Sequence, residues 1–173
     1  KETGTPQSQQ QLTEQKELNR LEQALAEALQ LHEQVMKITD KEATRESLER
    51  VRDANENLCY WDQALTVEQE LYSDDLGDAD RAASIYRQGK LYMRLEKPTT
   101  AQRCYQQALD LYESAATAAA DYLPEQGNIM ISMAGVDFHA GNLETAMTRL
   151  QEAEPYFYDK HKEPVQDLVK CLD

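Results

Sequence analysis

The residues best equipped for chemistry lie apart from one another. His32, His139 and His161 are the three histidines, and none belongs to a His-Glu-x-x-His zinc helix. His32 stands in a polar stretch and is expected to face solvent. His139 follows Phe138 near an expected helix end, where a cationic imidazole suits the helix dipole. Cys59, Cys104 and Cys171 supply no Cys-x-x-Cys pair, and the chain has neither a glycine-rich phosphate loop nor a Gly-x-Ser-x-Gly elbow. Asp74, Asp75, Asp78 and Asp80 gather the charge of a calcium loop without its glycine position or its closing bidentate glutamate, and helix capping accounts for them better. The remaining carboxylates, on helices this acidic, read as a solvated face. The sequence thus offers no catalytic residues, metal site or cofactor site, and the expectation is a protein that is not an enzyme.

One arrangement does invite a ligand. Tyr86, Lys90 and Arg94 lie four residues apart, so a helix carries all three on one face. Two cations and an aromatic ring in a chain of net charge −14 form a candidate peptide site. They read equally well as helix-surface charges paired with neighbouring carboxylates. The same acidity argues against nucleic acid, which needs clustered Lys and Arg, and against an anionic membrane surface. No apolar run approaches the roughly 20 residues that span a bilayer, so no membrane insertion is expected. An odd number of cysteines, two of them in apolar helical stretches, fits reduced packing residues and a cytoplasmic location.

The elements that must position these residues are helical. Gly and Pro number six and five, and Ala, Leu, Glu and Gln dominate. Residues 1–11 are polar and read as a disordered tail. From Leu12 to Ile38, Leu18, Leu21, Leu25, Ala28 and Val35 keep helical spacing. Thr39 and Glu42 form a capping box for a second helix, whose face runs through Leu48, Val51, Ala54, Leu58, Trp61, Leu65 and Leu71. The two are expected to form a long helical hairpin over 12–72. Asp78 is the expected N-cap of the next helix, with Ile85, Gly89, Tyr92 and Leu95 inside and Pro98 at its end. Thr99, with Gln102, opens a helix marked by Ala101, Tyr105, Ala108, Leu109 and Tyr112. Met130, Met133, Ala134 and Phe138 line another, closed by Gly141. Asn142 caps the helix of Ala146, Leu150 and Ala153, which Pro155 ends or kinks. A short capping helix is expected within 161–173, carrying Val165, Leu168, Val169 and Leu172.

These helices repeat. Ala64, Ala108 and Ala153 fall into one column, Trp61, Tyr105 and Leu150 into a second, and Asn57, Ala101 and Ala146 into a third. Small residues where helices cross, each followed one turn on by a large knob, let successive pairs stack. Gly89, Tyr92, Ala101, Tyr105 and Ala108 in one unit, and Ala134, Gly141, Ala146, Leu150 and Ala153 in the next, resemble the tetratricopeptide repeat family. Asp137 departs from its usual aromatic. The spacing is similar to the extended repeats of kinesin light chains and SNAP-type adaptors. The resemblance implies an all-α solenoid of antiparallel helix pairs over residues 78–160, preceded by the hairpin. It also implies a concave groove that receives a peptide or helix of another protein, and places Tyr86, Lys90, Arg94, Asn128, Ile131 and Phe138 in it. The function implied is a non-catalytic adaptor or scaffold. The alternative is a constitutive assembly subunit, or a homo-oligomer packed through its N-terminal helices.

Overall fold

The computed structural model describes residues 6–36, 41–73, 76–115 and 123–157. Over these the chain is all α, with no strand: α1 (Pro6–Val35), α2 (Lys41–Asn57), α3 (Trp61–Leu71), α4 (Asp78–Arg94), α5 (Pro98–Ala115), α6 (Leu123–His139) and α7 (Leu143–Ala153), then a 3-10 turn at Glu154–Phe157. The chain divides into two compact units at Leu71 and Tyr72. In the first, α2 packs against both α1 and α3; in the second, α4 packs on α5, α5 on α6, and α6 on α7. The expected capping box at Thr39 and the expected helix within 161–173 lie outside the described residues.

One local structure occurs three times. Cys59, Glu96 and Gly141 adopt left-handed φ of 59°, 56° and 80°. In each turn that residue's N–H donates to the carbonyl three residues back, and the following N–H to the carbonyl five residues back. The pairs are Cys59 to Glu56 (3.0 Å) and Tyr60 to Asn55 (2.9 Å), Glu96 to Met93 (3.1 Å) and Lys97 to Tyr92 (2.9 Å), and Gly141 to Phe138 (3.0 Å) and Asn142 to Asp137 (2.9 Å). This is the Schellman closure, which satisfies the orphan carbonyls at a helix end. The next helix starts two residues after each left-handed residue, at Trp61, Pro98 and Leu143. The preceding helices α2, α4 and α6 are each 17 residues long.

These turns correct several expectations. The apolar face from Leu48 to Leu71 is not one helix. It breaks at Leu58–Tyr60, where neither glycine nor proline announces the turn and buried Leu58 carries the apolar spacing across it. The repeat register shifts accordingly. Each second helix begins three residues before an alanine, at Trp61 and Ala64, Pro98 and Ala101, and Leu143 and Ala146. Ala64 therefore matches Ala101 and Ala146, not Ala108 and Ala153, and Asn57 belongs to the preceding helix. Ala64, Ala101 and Ala108 are fully buried and Ala146 nearly so, consistent with close helix approach in either register. Pro98 begins α5 instead of ending α4, as its fixed φ and missing N–H allow at a first helical position. Gly77, not Asp78, is the N-cap of α4; Asp78 sits in the first turn, 3.4 Å from Arg81. Asn142 is the N-cap of α7 but makes no side-chain capping bond. Helix α1 starts at Pro6, inside the segment read as a tail, and exposed glutamines continue it through bonds such as Gln10 to Glu14 at 2.9 Å.

Within each hairpin, two matched positions meet the crossing. Eleven residues into the first helices stand Arg52, Gly89 and Ala134; seven residues into the second stand Glu68, Tyr105 and Leu150. In α4–α5 the crossing is steric: a Cβ on Gly89 would lie 2.5 Å from the Tyr105 ring, so only glycine admits that buried ring. In α2–α3 it is ionic: Arg52 donates to Glu68 at 3.0 Å, with both side chains buried. Asp53 and Glu56 hold the rest of the guanidinium, at 2.7 and 3.8 Å. Asp137 accepts a bond from Arg149 of α7 at 2.6 Å. The turn after α7 brings Phe157 against Gly127, where a Cβ would meet the ring at 2.5 Å.

Candidate functional site

The face carrying Tyr86, Lys90 and Arg94 is set by the rotation of α4. Ile85, one residue earlier, is packed against the core, so Tyr86 emerges at its edge, half-buried. Its ring lies 5.7 Å from that of Tyr105, inclined by 54°. Its hydroxyl crosses to α6, where it lies 2.9 Å from Ser132 Oγ and donates toward the Asn128 carbonyl at 3.3 Å. Ser132 also donates to that carbonyl, at 3.0 Å. Lys90 Nζ sits 5.0 Å from the centre of the Tyr86 ring, a cation–π contact. Burial pushes the Tyr105 hydroxyl well above the ordinary tyrosine pKa, the neighbouring Tyr86 adds to this, and the Arg94 charge opposes it.

The structure thus brings Tyr86, Lys90 and Asn128 together. Ser132 joins them and was not foreseen from the sequence; its place one turn after Asn128 was the available signal. Arg94 is exposed one turn beyond Lys90, and Ile131, beside Ser132, is half-buried. Phe138 lies about 9 Å further along α6 than Ser132. It is 61% exposed and meets the His139 ring edge-on at 6.0 Å. The junction therefore joins two first helices through a phenol, a hydroxyl and a carbonyl. It leaves an ammonium, a guanidinium and an apolar ring toward solvent. An ammonium and a guanidinium can pair with carboxylates, and an aromatic ring can cover apolar side chains.

A histidine and a serine meet between the first two helices. His32 is not solvent-facing: its Nδ1 lies 2.8 Å from Ser47 Oγ. Ser47 spends its single proton on the Thr44 carbonyl, at 2.8 Å, so it accepts from the imidazole, and its side chain is buried. The pair ties α1 to α2. No cluster of His, Cys, Asp or Glu among the described residues is arranged to hold a metal ion, and no described helix is long and apolar enough to cross a membrane.

A concavity lies in the first unit. It is an open groove of about 460 Å³ between α1 and α2, floored by Leu21, Ala24, Ala28, Leu31 and Ala54 and edged by Glu27, Arg50, Asp53 and Asn57. Its volume lies within the range of ligand sites. Its charged edge is already engaged: Arg50 bonds Glu46 at 2.7 Å and Asp53 bonds Arg52. No protein-family model matches the chain, and no curated protein matches it.

Proposed function

We propose that the chain is a non-catalytic adaptor, a tetratricopeptide-like α-solenoid whose α4–α6 face receives a peptide or helix of a partner protein. The observation that carries this reading is the junction of Tyr86, Asn128 and Ser132, with Lys90 over the phenol ring. It fixes the phenol and the ammonium in place, which lowers the entropy lost on binding. The thrice-repeated Schellman closure, with an alanine three residues into each following helix, supports the family resemblance. The preferred ligand is an acidic or amphipathic segment, because Lys90 and Arg94 can pair with its carboxylates while Phe138 and Ile131 offer apolar area. Cys59 and Cys104, both free thiols, fit a cytoplasmic protein.

The test is photo-crosslinking from a benzophenone amino acid placed at Phe138, followed by mass spectrometry. The expected result is a discrete crosslinked partner that disappears when Lys90→Glu and Arg94→Glu are combined. Undiminished crosslinking in that folded variant would reject the site.

A further inference from the structure

We propose that α1 is a second docking surface, and that its occupant is a basic amphipathic helix of another protein. The first observation is a missing neighbour. Within the second unit, α5 leads into the first helix of a hairpin, α6, and is covered on another side by α4. It buries Ala101, Tyr105, Ala108 and Tyr112. Helix α1 leads into α2 in the same way, but among the described residues of its unit α2 is the one helix against it. None of its residues from Gln9 to Val35 is buried, although the helix is 30 residues long.

The second observation is where its leucines lie. At 3.6 residues per turn, Leu18, Leu25, Leu29 and Met36 fall within an arc of about 40°. Leu25 is half-buried, whereas Leu18, Leu29 and Met36 are 41%, 49% and 59% exposed. This stripe lies beside the face turned to α2, where Leu21, Ala28 and His32 are half-buried. The stripe recurs at steps of seven, four and seven residues over five turns, a seam along which the apolar face of a single helix can lie.

The third observation is charge, and it selects the occupant. Glu14, Glu22 and Glu33 are exposed and lie within about 60° of the stripe, whereas the cations Lys16 and Arg20 project from the far side, about 160–200° away. An occupying helix with Lys or Arg beside its apolar anchors meets carboxylates along the border. A second copy of α1 laid antiparallel would set Glu22 against the other copy's Glu33, a like-charge contact that disfavours self-pairing. The net charge of −14 further attracts a basic segment.

The probes are three 18-residue synthetic peptides. One places Leu and Lys in an amphipathic helical pattern, one replaces every Lys by Glu, and one has the Leu/Lys composition in an order that destroys the apolar face. Titration at physiological ionic strength is expected to show one amphipathic Leu/Lys peptide per chain, bound at least tenfold tighter than either other peptide. Combining Leu18→Asp with Leu29→Asp should weaken it at least tenfold. Combining Glu22→Lys with Glu33→Lys should do the same and shift preference toward the Leu/Glu peptide. Both pairs are exposed, and circular dichroism of each variant checks that the helices remain. Combining Lys90→Glu with Arg94→Glu should leave this binding unchanged, which separates it from the α4–α6 site. Equal binding of the disordered-pattern peptide, or no response to either α1 variant, would overturn the proposal. So would sedimentation showing a wild-type dimer that Leu29→Asp dissolves, because a second copy would then cover the stripe.

Discussion

The α2–α3 and α4–α5 hairpins share a turn, a first-helix length and a crossing register, yet they hold their helices together by opposite means. One excludes every atom beyond the backbone at Gly89 so that Tyr105 can enter; the other fills the equivalent space with the Arg52–Glu68 ion pair. Their outward faces differ as sharply. Tyr86, Lys90 and Arg94 on α4 correspond to Glu49, Asp53 and Asn57 on α2. The backbone module tolerates either chemistry. Their outward chemistry is therefore a matter of a few face residues, and of these two first helices α4 is the one that sets Lys90 over an aromatic ring.

The largest effect is expected from removing one partner of the buried pair. Arg52→Ala strands the Glu68 carboxylate and should cost about 3–5 kcal/mol in urea unfolding. Combining it with Glu68→Leu, which installs the alanine and leucine found at the same positions of α6–α7, should restore stability to the parental level or above it by about 1–4 kcal/mol. A double variant as unstable as the single one would show that the crossings are not interchangeable. In α4–α5 the expected losses come from added volume. Ala101→Leu should destabilise by about 1–3 kcal/mol, and Gly89→Ala by about as much despite alanine's better helix propensity, because the added Cβ would stand 2.5 Å from the buried Tyr105 ring. Thermal melts matching the parent would contradict the crossing. The smallest effects belong to the shared turn: Cys59→Gly and Glu96→Gly should each stabilise by about 0.5–1 kcal/mol, as left-handed backbone strains a side chain but not glycine.

Tyr105 adds a pH signature. Its folded pKa is raised above the unfolded value of about 10, so its contribution is intact below that pH and is lost as pH climbs through the folded pKa. Stability should fall in strongly alkaline solution, and Tyr105→Phe should flatten that fall. An unchanged alkaline profile in the phenylalanine variant would assign the loss to other groups.

Helix content, most of the inner residues and the alanine crossings were legible in the sequence, because spacing of about 3.6 residues needs no tertiary information. The α2–α3 turn was not. A left-handed cysteine carries no glycine signal, and Leu58 continues the apolar face through the break. The shifted register followed from that omission, since a seven-residue slip keeps alanines on the same helix face. Arg52 and Glu68 were invisible as core residues because a charge reads as surface until its partner is placed. Of the candidate site, the shared face of Tyr86, Lys90 and Arg94 was legible from spacing alone. That Tyr86 reaches Asn128 and Ser132, 42 and 46 residues away in sequence, required the packing of α4 on α6.

The central claim, that α4 and not its sister α2 carries the partner-binding face, is tested most directly by isothermal titration of the crosslinked partner's segment into three folded proteins. These are the parent, Lys90→Glu with Arg94→Glu, and Glu49→Lys with Asp53→Lys. The account predicts at least tenfold weaker binding, about 1.4 kcal/mol, for the first variant and parental affinity for the second. Parental affinity in the α4 variant, or an equal loss in both, would contradict it.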